Sequence, residues 1–111
     1  MSAMIEERRA HERVKANLPA RWEGVLTSRE GTVTDLSQTG CFVVTKADVQ
    51  PKELIRIEVE METGRCLYLW GEVVYHVEEI GFALRFTGTE ETELRMLEAL
   101  IDFVRSSQES D

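Results

Sequence analysis

The segment "ELIRIEVEMETGRCLYLW", residues 53–70, decides the fold of this 111-residue chain. Its first half alternates apolar and charged side chains, with Ile55, Ile57, Val59 and Met61 separated by Arg56, Glu58 and Glu60. A period of two predicts a β-strand with one buried and one solvated face. The glycine-containing "ETGR" at 62–65 is typical of a tight turn, and "CLYLWGEVVYHV" at 66–77 follows as a second apolar run. The segment therefore predicts an antiparallel hairpin.

Shorter runs of the same kind lie on both sides of this hairpin. They are "LPARWEGVL" (18–26), "GTVTDLS" (31–37), "CFVVT" (41–45) and "GFALRF" (81–86). "HVEEIG" at 76–81 predicts a second hairpin turn, and Gly71 inside the longest run predicts a bulge or a sharp bend. Short strands at this spacing are typical of an antiparallel sandwich or barrel.

The periodicity changes in "TEETELRMLEALIDFVR", residues 89–105. Apolar side chains recur there at helical spacing, namely Leu94, Leu97, Leu100, Ile101 and Val104, with Phe103 beside them. Thr89 is the predicted N-cap, glutamates follow it in the first turn, and Arg105 lies near the C-terminal end, as the helix dipole favours. The apolar stripe of this amphipathic helix packs either on the β structure or on a partner subunit.

The composition is that of one soluble globular domain, with 42% hydrophobic and 31% charged residues. The formal net charge of −8 opposes non-specific binding to DNA or RNA, which depends on neutralising many phosphates. No apolar run approaches the ~20 residues of a membrane-spanning helix, and the charged N-terminus lacks the apolar core of a signal peptide. These features predict a cytoplasmic protein that binds neither nucleic acid polymers nor membranes.

The residues that most often carry metal or catalytic chemistry are scattered along the chain. Cys41 and Cys66 lie in strand-like runs without metal-ligand spacing and are predicted to be buried free thiols. His11 and His76 have no companions at metal-ligand spacing, which argues against a zinc site. No activated nucleophile with its base and no pair of carboxylates with a histidine stands out. The sequence therefore predicts no metal site and no enzyme.

An acidic chain gathers three arginines in "EERRAHERVKAN", residues 6–17. One interpretation is a solvated arm, in which Glu6 and Glu12 offset Arg9, and Glu12 also offsets Arg8, through pairs at helical spacing. The other is an anion site, because the planar guanidinium fork suits bidentate contacts to phosphate or to a guanine edge. Taken alone, this segment leaves both interpretations open.

A second polar motif, "DLSQTG" at residues 35–40, joins two of the predicted strands. On extended backbone Asp35 and Ser37 would point to the same face, and Gly40 permits a positive φ or a close backbone approach. An ordinary Asx-type turn also explains the motif. Combined with the arginines, however, it supplies what a guanine nucleotide needs: a carboxylate for the base N–H donors and guanidinium groups for the acceptors and phosphates.

The two motifs together resemble those of the PilZ domain family, because "RRAHER" (8–13) and "DLSQTG" (35–40) fit an RRxxxR arm followed by (D/N)xSxxG. "GFALRF" is similar to the family's closing strand, and the resemblance covers roughly residues 6–104. It implies an all-β fold with a C-terminal helix: a six-stranded antiparallel β-barrel of split-barrel type plus a flexible N-terminal arm. The expected organisation is an arm at 1–17, the barrel at 18–88, the helix at 89–105 and a disordered tail at 106–111.

The resemblance also implies a ligand, the bacterial second messenger cyclic di-GMP. Arg8, Arg9 and Arg13 would clamp its phosphates and contact its guanines. An arginine directly before the RxxxR element, here Arg8, implies two intercalated ligand molecules per chain.

Further site residues follow from the resemblance. Asp35 and Ser37 would contact guanine from the barrel face, and Gly40 would leave room for the base. Tyr75 and Trp70 are additional candidates, since an aromatic face can stack on a base.

The implied function is a non-enzymatic cyclic di-GMP receptor or adaptor. Binding between the arginine motif and the DxSxxG face would order the arm and change interactions with an effector protein that the sequence does not identify. The alternative is a protein–protein interaction module of the same fold that does not bind nucleotide. A monomer and a homodimer are both compatible with the sequence.

Overall fold

The computed structural model describes residues 12–109, which form six β-strands and one α-helix. The strands are β1 (Val14–Glu23), β2 (Ser28–Leu36), β3 (Gly40–Val44), β4 (Leu54–Glu60), β5 (Cys66–Val77) and β6 (Gly81–Phe86), and the helix is α1 (Glu91–Glu109). All strand pairs are antiparallel and close into a barrel in the order β1-β2-β3-β6-β5-β4. The predicted six-stranded barrel with a C-terminal helix is confirmed. The predicted flexible arm at residues 1–11 and the end of the predicted tail at 110–111 lie outside the described residues.

The barrel interior is filled by every second side chain along the strands, because apolar and polar residues alternate. In β4 the side chains of Ile55, Ile57 and Val59 are buried, while the residues between them face outward, as the sequence predicted. The largest buried side chain, Trp22 of β1, meets Phe82 of β6 edge-to-face with ring centroids 5.2 Å apart. Its indole nitrogen donates a hydrogen bond to Thr45 Oγ1 at 3.3 Å, so the one polar atom of this side chain is also paired.

Both predicted hairpin turns are confirmed. The turn after β4 is closed by a hydrogen bond from Met61 N–H to the Arg65 carbonyl at 2.7 Å, and Gly64 in it adopts φ 87°. Residues 78–80 join β5 to β6. At Gly71 the β5 backbone makes room for a neighbour, because a Cβ there would overlap the side chain of Leu84 on β6. The sharp departure from regular pairing in β5 lies slightly further on, between Val73 and Tyr75.

Helix α1 covers one end of the barrel interior. Leu97, Leu100, Ile101 and Val104 are buried in the common core, so the apolar stripe packs intramolecularly. Phe103 lies outside this stripe and remains 43% exposed.

Several predicted boundaries are corrected by the structure. β1 begins at Val14, so residues 14–17 belong to the barrel and not to the arm, and α1 continues to Glu109 instead of ending at 105. The N-cap is Glu90 and not Thr89, because Glu93 Oε1 accepts a hydrogen bond from Glu90 N–H at 2.9 Å and the helix starts at Glu91. Among residues 12–109, no helix is long and apolar enough to cross a membrane.

Candidate nucleotide-binding site

Barrel register places Asp35 in a row of side chains that crosses five strands. Asp35 on β2 is opposite Lys15 of β1 on one side and Phe42 of β3 on the other. Phe42 is opposite Ala83 of β6, which is opposite Tyr75 of β5. All five side chains are at least partly exposed. This outer row, Lys15–Asp35–Phe42–Ala83–Tyr75, is the frame of the candidate site.

Three irregularities in strand pairing border the outer row. The register shifts between Lys15 and Leu18 on β1, between Val33 and Asp35 on β2, and between Val73 and Tyr75 on β5. Such bulges bend a strand and redirect the side chains next to them, and they are frequent beside functional sites. The row therefore coincides with the most irregular line of this otherwise regular barrel wall.

The Asp35 carboxylate is held at the surface by a weak ion pair. Lys15 Nζ lies 3.4 Å from Asp35 Oδ1, and the two side chains are 85% and 31% exposed. A pair this exposed contributes little to stability, about 0–1 kcal/mol. A ligand that offers N–H donors to Asp35 can displace the lysine at little cost.

Ser37 occupies a different environment from Asp35. Strand β2 ends at Leu36, so the extended backbone needed to place both side chains on one face does not reach Ser37. The Ser37 side chain is 1% exposed, and its hydroxyl oxygen accepts hydrogen bonds from the N–H groups of Thr39 and Gly40, each at 3.2 Å. In this structure the hydroxyl shapes the turn between β2 and β3.

Close packing against β6 explains why a glycine occupies position 40. A Cβ at this position would overlap the carbonyl oxygen of Leu84, so the glycine allows β3 and β6 to approach closely. Its backbone is not in the left-handed region. Directly opposite Gly40, the 64% exposed side chain of Arg85 projects from β6 and pairs with Glu72 at 3.2 Å.

Of the three predicted arginines, Arg13 lies within the described residues, and Arg8 and Arg9 lie outside them. Arg13 is exposed and immediately precedes Val14, which is opposite Leu36, so it enters the barrel beside the turn formed by residues 37–40. Its charge acts on the Cys41 thiol, although burial dominates there and raises the pKa of Cys41 to about 12. The structure thus brings Arg13 to the end of the outer row where Asp35 lies.

The two predicted aromatic residues have different positions. Tyr75 lies in the outer row, 52% exposed, and its ring contacts that of Phe42 at a centroid distance of 6.3 Å and an angle of 41°. Trp70 is 53% exposed but is opposite Arg56 of β4, so it lies in a different row of the wall. The register therefore groups Tyr75, and not Trp70, with Asp35.

Helix α1 contacts both segments that carry the predicted motifs. Gln38 Nε2 donates to Glu98 Oε2 at 3.3 Å, which ties the turn after β2 to the helix. Arg105 Nη2 lies 2.8 Å from Glu12 Oε1, and the Gln108 side-chain amide donates to the Lys15 carbonyl. The segment that bears Arg13 is thus held to the helix on both sides of that arginine.

Two residues of the site were missed by the sequence analysis. Phe42 and Arg85 face outward beside Asp35 and Gly40, and the alternation within "CFVVT" and "GFALRF" already placed both side chains on the outer face. Pairing partners across the barrel could not be deduced from alternation alone. Of the two cysteines, Cys41 is buried as predicted but Cys66 is only half-buried. Within the described residues, no group of His, Cys, Asp and Glu could hold a metal ion.

These features define a small closed β-barrel whose candidate site lies on its outer wall and is backed by a C-terminal helix. The chain belongs to the PilZ domain family, whose model matches residues 7–103. The comparison with curated proteins gave no match.

Solved structures share the fold at low sequence identity. The PilZ domain of YcgR from Escherichia coli with c-di-GMP is 21% identical with a TM-score of 0.72, covering 93% of this chain and 96% of that one. YcgR from Escherichia coli in complex with c-di-GMP is 22% identical with a TM-score of 0.74, but the matched region is 93% of this chain and 49% of that one. The PilZ domain of CeSA from a cellulose-synthesizing bacterium is 17% identical with a TM-score of 0.70, covering 85% and 98%.

Proposed function

We propose that this protein is a non-enzymatic receptor for cyclic di-GMP, which it binds on the outer barrel wall between the arginine motif and the outer row. The observation that carries the proposal is the register that places Asp35 and Tyr75 in one row, with Arg13 entering beside it. Membership of the PilZ family and the c-di-GMP complexes of two similar structures support the choice of ligand.

Each group has a role that its chemistry suits. Asp35 accepts hydrogen bonds from the N1–H and N2–H donors of a guanine, after Lys15 is displaced. Arg8, Arg9 and Arg13 neutralise the phosphates and donate to the N7 and O6 acceptors of guanine. The exposed rings of Tyr75 and Phe42 offer a face for a base.

The remaining motif residues act through the backbone. Ser37 fixes the turn that follows Asp35, because its hydroxyl is already used by two backbone N–H groups. Gly40 keeps β3 close to β6, so that Phe42 and Arg85 lie near each other on the outer wall and flank the bound base. A direct contact between guanine and Ser37 would first require this turn to open.

The signal is proposed to pass through a change in the N-terminal segment. A ligand bound by Arg8, Arg9 and Arg13 fixes that segment against the barrel, and an effector protein recognises the new surface. In this proposal the ligand leaves the site chemically unchanged.

Calorimetric titration with cyclic di-GMP tests the proposal. The wild-type chain is expected to bind saturably, and the double variant Arg9→Ala, Arg13→Ala is expected to lose affinity by about 100-fold or more, because each lost charged hydrogen bond costs about 1.5–3 kcal/mol. The matched control is Arg65→Ala, Arg95→Ala, which removes the same charge from exposed positions elsewhere. Equal loss in both variants, or no binding by the wild type, would favour the alternative of an interaction module that binds no nucleotide.

The same titration tests the ligand number. We propose two intercalated molecules per chain, with Arg8 contacting the second. A stoichiometry near two that falls to near one in Arg8→Ala supports this arrangement. A stoichiometry of one in the wild type excludes it without affecting the receptor proposal.

A further inference from the structure

A large groove lies between α1 and the β1–β4 wall. Its volume is about 850 Å³, and its floor is apolar, formed chiefly by Leu18, Pro19, Ala20, Met61 and Phe103. A smaller cleft of about 340 Å³ shares Leu18 and Phe103 and extends along α1 toward Gln108. The two clefts form one trough with Phe103 at its centre.

Phe103 is the feature that marks this trough as a contact surface. The other large apolar side chains of the last helical turns, Leu100, Ile101 and Val104, are buried, whereas 43% of Phe103 remains exposed over the shared wall of both clefts. An exposed aromatic ring at the centre of an apolar trough gains most when a partner removes it from water.

The rim of the groove is acidic. Glu30, Glu58, Glu60 and Glu62 surround it, against the single guanidinium of Arg21. Arg21 is opposite both Glu30 and Glu58 in the barrel register, so its charge is shared between those two. Glu60 and Glu62 also line the groove and are exposed.

The acidic rim indicates which kind of molecule binds in the groove. Four carboxylates disfavour nucleotides, nucleic acids and anionic lipid surfaces. They also disfavour a second copy of this chain docked groove to groove, because the symmetric contact would set carboxylates against carboxylates. A peptide that carries Lys or Arg together with aliphatic side chains satisfies both the rim and the floor.

We propose that this acidic groove docks a basic, partly aliphatic segment of a partner protein. The larger cleft does not include Arg13, Asp35, Phe42 or Tyr75, whereas Lys15 of the outer row lines the smaller cleft, so the trough and the candidate nucleotide site adjoin at Lys15. The docking proposal therefore names the surface that contacts an effector protein and the kind of peptide segment that binds there.

The test is a selection of random phage-displayed peptides on the full-length wild-type chain, in the presence and in the absence of cyclic di-GMP. Selected peptides are expected to be enriched in Lys or Arg and in Leu, Ile or Val. Their affinity, measured by fluorescence polarisation, is expected to fall about tenfold or more in Phe103→Ser and in Glu60→Lys, Glu62→Lys. The control Asp48→Lys, Glu78→Lys changes the net charge equally at exposed positions outside the groove and is expected to change affinity less than about twofold.

Three results would overturn the proposal. The first is a set of peptides whose binding is equal in the groove variants and in the control. The second is a set that lacks basic residues. The third is a wild-type chain that sediments as a dimer and becomes a monomer on Phe103→Ser, which would make a second copy the occupant. Circular dichroism and thermal unfolding check that each variant is folded. If Phe103→Ser does not fold, the variant Glu60→Lys, Glu62→Lys still tests the proposal.

Discussion

Arg105 of α1 and Glu12, the residue before Arg13, form a salt bridge of 2.8 Å with side chains that are 28% and 47% exposed. Arg105 also lies 3.4 Å from Asp102 on its own helix, and its buried Nε has no hydrogen-bond partner among the described residues. The guanidinium therefore links Glu12, the residue before Arg13, to the surface of the helix.

Replacing Arg105 by alanine should free Glu12 to compete for Arg13. We expect Arg105→Ala to speed hydrogen exchange of the backbone amides at residues 12–18 and to weaken cyclic di-GMP binding severalfold. The additional change Glu12→Gln should restore the affinity, because it removes the competing charge. Global stability should fall by only about 1 kcal/mol or less, as for other partly exposed ion pairs. The control is Arg95→Ala, which breaks the exposed pair with Glu91 on the same helix; identical exchange in both variants would contradict this role.

Asp35 and Ser37 should respond differently to substitution. Asp35→Asn should lower cyclic di-GMP affinity by about tenfold or more with little change in stability, because the carboxylate is exposed and weakly paired. Ser37→Ala should lower the free energy of unfolding by roughly 2 kcal/mol, because two backbone N–H groups lose their acceptor. Urea unfolding and calorimetry on both variants separate the effects. A stable Ser37→Ala protein that has lost only affinity would show that Ser37 contacts the ligand.

Gly40→Ala should destabilise the barrel whether or not ligand is present. The new methyl group would overlap the Leu84 carbonyl, and relief requires β3 and β6 to separate, at a cost of about 3 kcal/mol. Gly64→Ala is the matched control, because Gly64 has φ 87° but no atom within 4 Å of an added Cβ, and backbone strain there costs about 1 kcal/mol. Thermal or urea unfolding measures the loss of stability in each variant. Equal losses in Gly40→Ala and Gly64→Ala would rule out the proposed overlap.

The two exposed aromatic residues should differ in their effect on binding. Tyr75→Ala should weaken cyclic di-GMP binding by about fivefold to 150-fold, since a stacked base is worth about 1–3 kcal/mol. Trp70→Ala should leave it unchanged, because Trp70 lies beside Arg56 in another row. Both side chains are about half exposed, so each variant controls for the loss of a surface ring. The opposite ranking would place the ligand on the β4–β5 side of the wall.

Stability at alkaline pH should report on Cys41. Burial raises the pKa of its thiol from 9.0 to about 12, so between these values the native chain keeps a proton that the unfolded chain has lost. The contribution is fully present below pH 9 and is lost as pH rises toward 12, by roughly 1 kcal/mol per pH unit. The free energy of unfolding, measured with urea from pH 8 to 10.5, should therefore fall more steeply in the wild type than in Cys41→Ala. Parallel slopes for the two proteins would contradict the assignment.

The strands were predictable because alternation is a local property. The β4–β5 hairpin follows directly from period two and one glycine turn, and every strand after β1 was found within a few residues of its bounds. The start of β1 was missed because "VKAN" was assigned to the arginine-rich arm, although "VKANL" alternates apolar and polar side chains with a period of two. The N-cap was missed because the Glu93 carboxylate caps the helix from inside, which a cap-residue rule does not detect.

The site was less accessible to sequence analysis than the fold. Arg13 and Asp35 were found from their chemistry, but their proximity depends on closure of the barrel and on three register shifts. The shift in β2 sets Phe42 opposite Asp35, and the shift in β5 places the odd-numbered Tyr75 on the exposed face. Burial of Ser37 depends on where β2 ends, which differs by a single residue from the predicted strand.

The close approach of β3 and β6 at Gly40 shows that residues of the DxSxxG motif can serve two separate purposes, the fold of the barrel and the binding of a ligand. Gly40 allows β3 and β6 to approach, and Ser37 fixes the turn between β2 and β3. The barrel needs both residues whether or not a ligand binds. Asp35 makes an exposed ion pair with Lys15 that contributes little to stability, and under the proposed function Asp35 and the arginines serve the nucleotide. A screen for receptors among barrels of this type should therefore score Asp35 and the arginine positions separately from Ser37 and Gly40, because a chain that keeps only the latter pair has kept its architecture and not its ligand.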